Sequence, residues 1–220
     1  MEGLVAVGVP LALVIRLASV AAALGLARHA RACRWAVLGA STVASLLTGT
    51  VALQVIRSGH TIDGVLFRHT ASGTVLGYSV TPLSAWFLMV TGLVAVPVAL
   101  YSAGYFAHAV TTARTAAVGT AFTIMLGAIE VVFVAGGAIE FIGAWEVMTL
   151  ATAALVATEH ESRASRRAAY LFLVMSHVGT GCLVAGFLIL AAAAGSLSFS
   201  AILSGHIVVG PMRDLLFALF

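Results

Sequence analysis

Long apolar runs alternate with short polar joints along this chain, and the runs set the expected fold. The runs cover residues 3–27, 35–56, 82–101, 115–136, 138–157 and 166–194. A helix rises 1.5 Å per residue, so about 20 apolar residues cross a hydrocarbon core about 30 Å thick, whereas a barrel strand needs only about 10. The pattern therefore predicts an all-α, polytopic transmembrane helix bundle, since a helix satisfies its own backbone within lipid. Pro82 suits the first turn of its helix, and Pro97 predicts a kink near the far end of the same run. The polar stretch 57–80 contains Asp63-Gly64 and alternates around Val65, Phe67, Val75 and Tyr78, which predicts a short β-hairpin on the membrane surface. Gly136-Gly137 predicts a tight turn between two helices. The joints 102–114 and 158–165 read as loops, with Ser165 placed to cap the helix after it.

A last apolar run starts at Pro211 and reaches Phe220. The expectation is six complete helices plus the start of a seventh. Residues 1–220 then form a single membrane domain, the N-terminal portion of a truncated or split subunit.

Composition supports the membrane reading. The chain is 61% hydrophobic and 9% charged, against about 25% charged for a soluble domain. The formal net charge is +3, and every basic residue is Arg. The excess follows topology rather than a nucleic-acid partner. Arg28, Arg31, Arg34, Arg114, Arg163, Arg166 and Arg167 fall in the first, third and fifth joints, whereas the second holds Arg57 and Arg68. The positive-inside bias then puts the odd joints in the cytoplasm and the N-terminus outside, in a multi-pass protein of the cell inner membrane. Glu2 replaces the basic start of a signal peptide, so the first run reads as a retained helix. Cys33 and Cys182 suggest neither a disulfide framework nor a metal site.

Candidate chemistry lies in the ionisable residues inside the runs, where a charge costs about 2.5–3.5 kcal/mol on insertion scales. Glu146 is about eight residues into its run and His177 about eleven into the next, or roughly 12 Å and 16 Å from opposite boundaries. Both fall near the midplane, on helices that a short joint makes antiparallel neighbours. A proton relay through Glu146 and His177 is one reading. A protonated structural carboxyl and a neutral imidazole bonded to a carbonyl or to Ser176 or Thr180 is the other. Glu130 lies deep in the fourth run, either on the proton path or in a solvated vestibule. Arg16 is a possible structural charge that pairs with Glu130 or snorkels to the interface. Glu140 reads as interfacial. Glu159, His160 and Glu161 with Arg163, Arg166 and Arg167 have metal- or phosphate-binding residue types, but a solvated loop is the better reading.

At Glu146 the residues resemble a known family. Phe141-x-x-x-Trp145-Glu146-x-Met148-Thr149-Leu150 is similar to the fifth-helix signature of the antiporter-like subunits of respiratory complex I, Mrp cation/proton antiporters and group-4 [NiFe] membrane hydrogenases. Glu159-His160-Glu161, Arg166-Arg167-Ala168, Tyr170-Leu171 and Met175-Ser176-His177-Val178-Gly179-Thr180 most resemble the hydrogenase branch, the large membrane subunit of formate hydrogenlyase and its relatives. Pro82-Leu83-Ser84-Ala85-Trp86-Phe87 and Tyr101-Ser102-x-Gly104-Tyr105 fit the third helix and its exit. The likeness covers roughly residues 75–220, with Thr81 where the family usually has Asp.

The resemblance implies a 14-helix core of two inverted five-helix repeats, with Glu146 in the first. It implies that Glu146 pairs with a Lys on a broken seventh helix, which a second polypeptide or a missing C-terminal part would supply, and that His177 lies near this pair. It also implies a proton-translocating subunit without a redox cofactor of its own. Its partners would be other membrane subunits and a peripheral redox arm of a hydrogenase- or NADH-dehydrogenase-like complex. The rival readings are an Mrp-type antiporter component and a structural half-subunit with no ion path.

Overall fold

The computed structural model describes residues 2–26, 28–71, 74–109, 111–204 and 210–220. The order is α1 (Glu2–Gly25), α2 (Ala30–Arg34), a π-helical turn Trp35–Gly39, α3 (Ala40–Ser58), β1 (Ile62–His69), β2 (Thr74–Val80), α4 (Pro82–Ala109), α5 (Thr112–Val134), α6 (Ala138–Val156), α7 (Arg163–Ala194), α8 (Phe199–Ser204) and α9 (Pro211–Leu219). Among the described residues, six helices are long and apolar enough to cross a membrane. The bundle predicted from the apolar runs is the one observed.

Chain neighbours pack against each other, α3 on α4, α5 on α6 and α6 on α7, while α1 inserts between α3 and α5. One buried cluster joins Val9 of α1, Val51 and Val55 of α3, Tyr78 and Val80 of β2, Leu88 of α4 and Val134 of α5. Small residues let the backbones approach, as is usual where lipid supplies no hydrophobic drive between helices. Gly8 faces the Val51 side chain so closely that a Cβ would overlap it, and a Cβ on Gly119 would lie 2.9 Å from Val37. Gly59 closes α3 at φ 69°, and its N–H bonds the Val55 carbonyl at 2.9 Å.

The hairpin forms as expected. β1 and β2 are antiparallel from Ile62↔Val80 to His69↔Thr74, with a register shift between Val65 and Phe67. Three expectations need correction. The joint 102–114 is mostly helix, because α4 runs through Pro97 to Ala109; Tyr101 and Tyr105, one turn apart, stack at 6.0 Å and support that extension. The cap of α7 is Ser162, whose side chain accepts the Ser165 N–H, and the helix starts at Arg163. Gly136-Gly137 is not a tight turn. Gly137 is extended at φ −161°, and Ala135–Gly137 bridges the hairpin at Tyr78 and the 197–198 segment at Ser198. These glycines are needed for lack of bulk. A Cβ on Gly136 would stand 3.0 Å from the Gly77 backbone, and one on Gly137 would stand 2.8 Å from the Leu197 carbonyl.

Candidate functional site

Two charged sites lie within the spanning helices. The first joins α1, α3 and α5. Arg16 and Glu130 are both 2% exposed. Arg16 Nε donates to Glu130 Oε2 at 2.9 Å, and Nη2 donates to Oε1 at 2.6 Å. This is the two-pronged geometry in which a planar guanidinium best matches a carboxylate. Nη2 also donates to Ser45 Oγ at 2.9 Å, and Thr48 Oγ1 lies 3.0 Å from Glu130 Oε1. Gly127, which a Cβ would bring to 3.2 Å from Arg16 Cδ, leaves room for the Arg stem. Arg16 Nη1 is buried without a hydrogen-bond partner. Ser45 and Thr48 escaped the sequence reading, since nothing in their own runs distinguishes them from other helix hydroxyls.

The second site joins α6 and α7. Glu146 Oε2 stands 3.5 Å from His177 Nε2, with the side chains 28% and 53% exposed. The other ring nitrogen, Nδ1, lies 2.8 Å from the Leu173 carbonyl, one turn back on α7. A carbonyl only accepts, so this contact fixes the proton on Nδ1. A proton delivered to the Nε2···Oε2 side has two places to sit. With it on nitrogen the pair is imidazolium and carboxylate; with it on oxygen the pair is imidazole and carboxylic acid. At 3.5 Å the two atoms lie beyond the usual hydrogen-bond range, so passing a proton between them needs a side-chain movement that closes the gap.

Aromatic rings also join these two helices. Phe141 stacks on Trp145 at 5.8 Å and meets Phe187 of α7 edge-on at 5.5 Å. Phe187 also packs on Phe199 of α8 and Phe220 at 5.5 and 5.1 Å. Phe141, with Trp145 stacked on it, is the ring of the motif that joins α6 to α7, on the same helix as Glu146.

Glu140 does more than sit at an interface. Its Oε1 accepts the Gly77 N–H at 2.8 Å, tying α6 to the hairpin. Thr81 stands where the resembled family usually has Asp, and it caps α4 by accepting the Ser84 N–H at 3.1 Å; a hydroxyl serves this position about as well as a carboxylate. In the α6–α7 joint, Glu161 meets Arg114 at 3.9 Å and His160 at 3.6 Å. A bond from its own backbone N–H, aided by His160 and Arg114, holds the Glu161 carboxyl below its ordinary range. No group of three or more His, Cys, Asp or Glu among the described residues is arranged to hold a metal ion.

One sealed and one half-buried acid–base contact thus lie within the spanning helices of a multi-pass membrane bundle. Residues 135–220 match the family model described as NADH:quinone oxidoreductase/Mrp antiporter, transmembrane. Two uncharacterised proteins of Mycobacterium tuberculosis, MT0090 of strain CDC 1551 / Oshkosh and Rv0083 of strain H37Rv, are each 35% identical over 118 residues, 54% of this chain and 18% of the relative. The matched stretch thus spans less than a fifth of those relatives. The fold is shared with the membrane-bound sulfane sulfur reductase, an archaeal respiratory membrane complex, at TM-score 0.75 and 16% identity over 96% of this chain and 42% of that one. It is also shared with the Mrp complex from Dietzia sp. DQ12-45-1b, at TM-score 0.75 and 19% identity over 96% and 22%. The chain has the fold and, over residues 135–220, the sequence pattern of antiporter-like membrane subunits of the complex I and Mrp families, as the resemblance at Trp145-Glu146 implies.

Proposed function

We propose that the chain is part of a proton-translocating subunit that couples electron transfer in a hydrogenase- or NADH-dehydrogenase-like complex to proton movement. The observation that carries this reading is the approach of Glu146 Oε2 to His177 Nε2, 3.5 Å apart on two spanning helices. Glu146 and His177 are its relay. Both are partly exposed on faces that a further membrane subunit or segment would cover, and a cation presented there would bias the proton toward one partner. Glu130 has a different role in this account. Arg16, Ser45 and Thr48 hold it, so it serves as a fixed charge beside the proton path rather than a carrier.

The family description also names Mrp antiporters, which favours a second reading in which the same relay exchanges protons for another cation. A proton-uptake readout from a pH-sensitive dye in vesicles containing the assembled complex separates the two. In the first reading proton uptake starts with addition of the electron donor; in the second it starts with an imposed cation gradient.

The direct test is Glu146→Gln in the assembled complex. Proton uptake should fall by at least about tenfold, the usual size of a lost proton-transfer group, while electron transfer by the peripheral arm is largely retained. Unchanged uptake would remove Glu146 from the path.

A further inference from the structure

The loop cluster before α7 splits into two parts with different partners. Glu161 and His160 turn toward Arg114 of α5. Arg166 Nη1 donates back to the Glu161 carbonyl at 3.1 Å. Arg163 and Arg167 face away from this network, and no hydrogen bond or ion pair joins either to another described residue. With Arg166 and Tyr170 they line one shallow hollow on the first two turns of α7.

Arg163 and Arg167 are four residues apart, so their side chains leave the same face of the helix about 5–6 Å apart at Cβ. Tyr170 is 66% exposed on that face. At 100° per residue the same stripe continues through Val174 and Val178, which are 42% and 61% exposed. From the end of α7 toward its middle, the surface therefore presents two guanidinium groups without a partner among the described residues, an aromatic hydroxyl and then an apolar strip. That sequence matches an anionic phospholipid, with its phosphate, its ester region and its acyl chain in the same order. Guanidinium groups grip phosphate oxygens two at a time, and Tyr is favoured at the headgroup level.

We infer that the start of α7 is a binding site for an anionic phospholipid. Arg163 and Arg167 hold the phosphate, Tyr170 lies against the ester region, and one acyl chain runs along Val174 and Val178. The headgroup end of the site stands apart from the Glu146–His177 pair, while its acyl strip borders His177, next to Val178 and one turn from Val174.

The test is native mass spectrometry of the purified protein released from detergent micelles that hold equal amounts of phosphatidylglycerol and phosphatidylcholine. One phosphatidylglycerol should be retained in preference to phosphatidylcholine. The double variant Arg163→Gln/Arg167→Gln should lower its retention by about tenfold or more, from the loss of two interfacial cations. Arg163→Lys/Arg167→Lys keeps the charges and should retain an intermediate amount. Arg213→Gln removes an exposed Arg that is already paired with Asp214 and should retain the wild-type amount. Inorganic phosphate in millimolar excess should not displace the lipid. The site is refuted by equal retention of both lipids, by unchanged retention in the double Gln variant, or by displacement with phosphate alone.

Discussion

The two intramembrane charged sites use the same acid, Glu, in opposite ways. At Glu130 the carboxylate is sealed at 2% exposure between a two-pronged Arg and two hydroxyls. At Glu146 it is 28% exposed and makes one long contact to an imidazole. Arginine does not give up its proton in proteins, so nothing in the first site can change charge cheaply. Histidine exchanges its proton near neutral pH, so the second site can. In the proposed reading, the partner and the packing around the acid separate a fixed charge from a relay, rather than the acid or its depth in the membrane.

The contrast predicts opposite mutational signatures. Glu130→Ala strands a buried guanidinium and should destabilise the chain by about 3–5 kcal/mol, whereas Arg16→Met/Glu130→Met should recover much of that loss. Unfolding in mixed micelles measures both, and equal losses in the two variants would mean that the pair is not the source. Gly136→Ala should come next. It pushes a Cβ against the Gly77 backbone and should cost about 1–3 kcal/mol as overpacking, seen as faster hydrogen exchange in the hairpin and at the start of α6. Glu140→Ala removes the acceptor of the Gly77 N–H and should cost about 1–2 kcal/mol, with exchange hastened at Gly77 itself. The smallest effect is expected at Glu161. Because its folded value is depressed, its contribution is fully present above the ordinary carboxylate range and is lost as pH falls through the folded value. Acidification below about pH 4 should speed exchange in the α6–α7 joint of the wild type and change it less in Glu161→Gln.

Part of this account is legible from the residues alone. Run length and polarity fix the spanning helices, because the bilayer sets one required length. Depth arithmetic along α6 and α7 places Glu146 level with His177, and a short joint makes their helices neighbours, so that contact is within reach of the sequence. The Arg16–Glu130 contact is not. It spans 114 positions and depends on α1 inserting between α3 and α5, which no local pattern encodes. Gly127 is the available hint, a small residue one turn from Glu130 where a long side chain must pass. The Gly136-Gly137 joint misleads for a related reason. Paired glycines suggest positive φ, yet here they serve the close approach of three backbones.

The central claim is the proposal that the proton path runs through Glu146 and His177, with Glu130 as a fixed charge. The most direct measurement is an infrared titration of the carboxylic acid C=O band, comparing wild type, Glu146→Gln and Glu130→Gln. The difference between wild type and Glu146→Gln should isolate one pH-dependent C=O component, which persists in Glu130→Gln and shifts in His177→Gln. No such component in the Glu146→Gln difference, with one in the Glu130→Gln difference instead, would contradict the account.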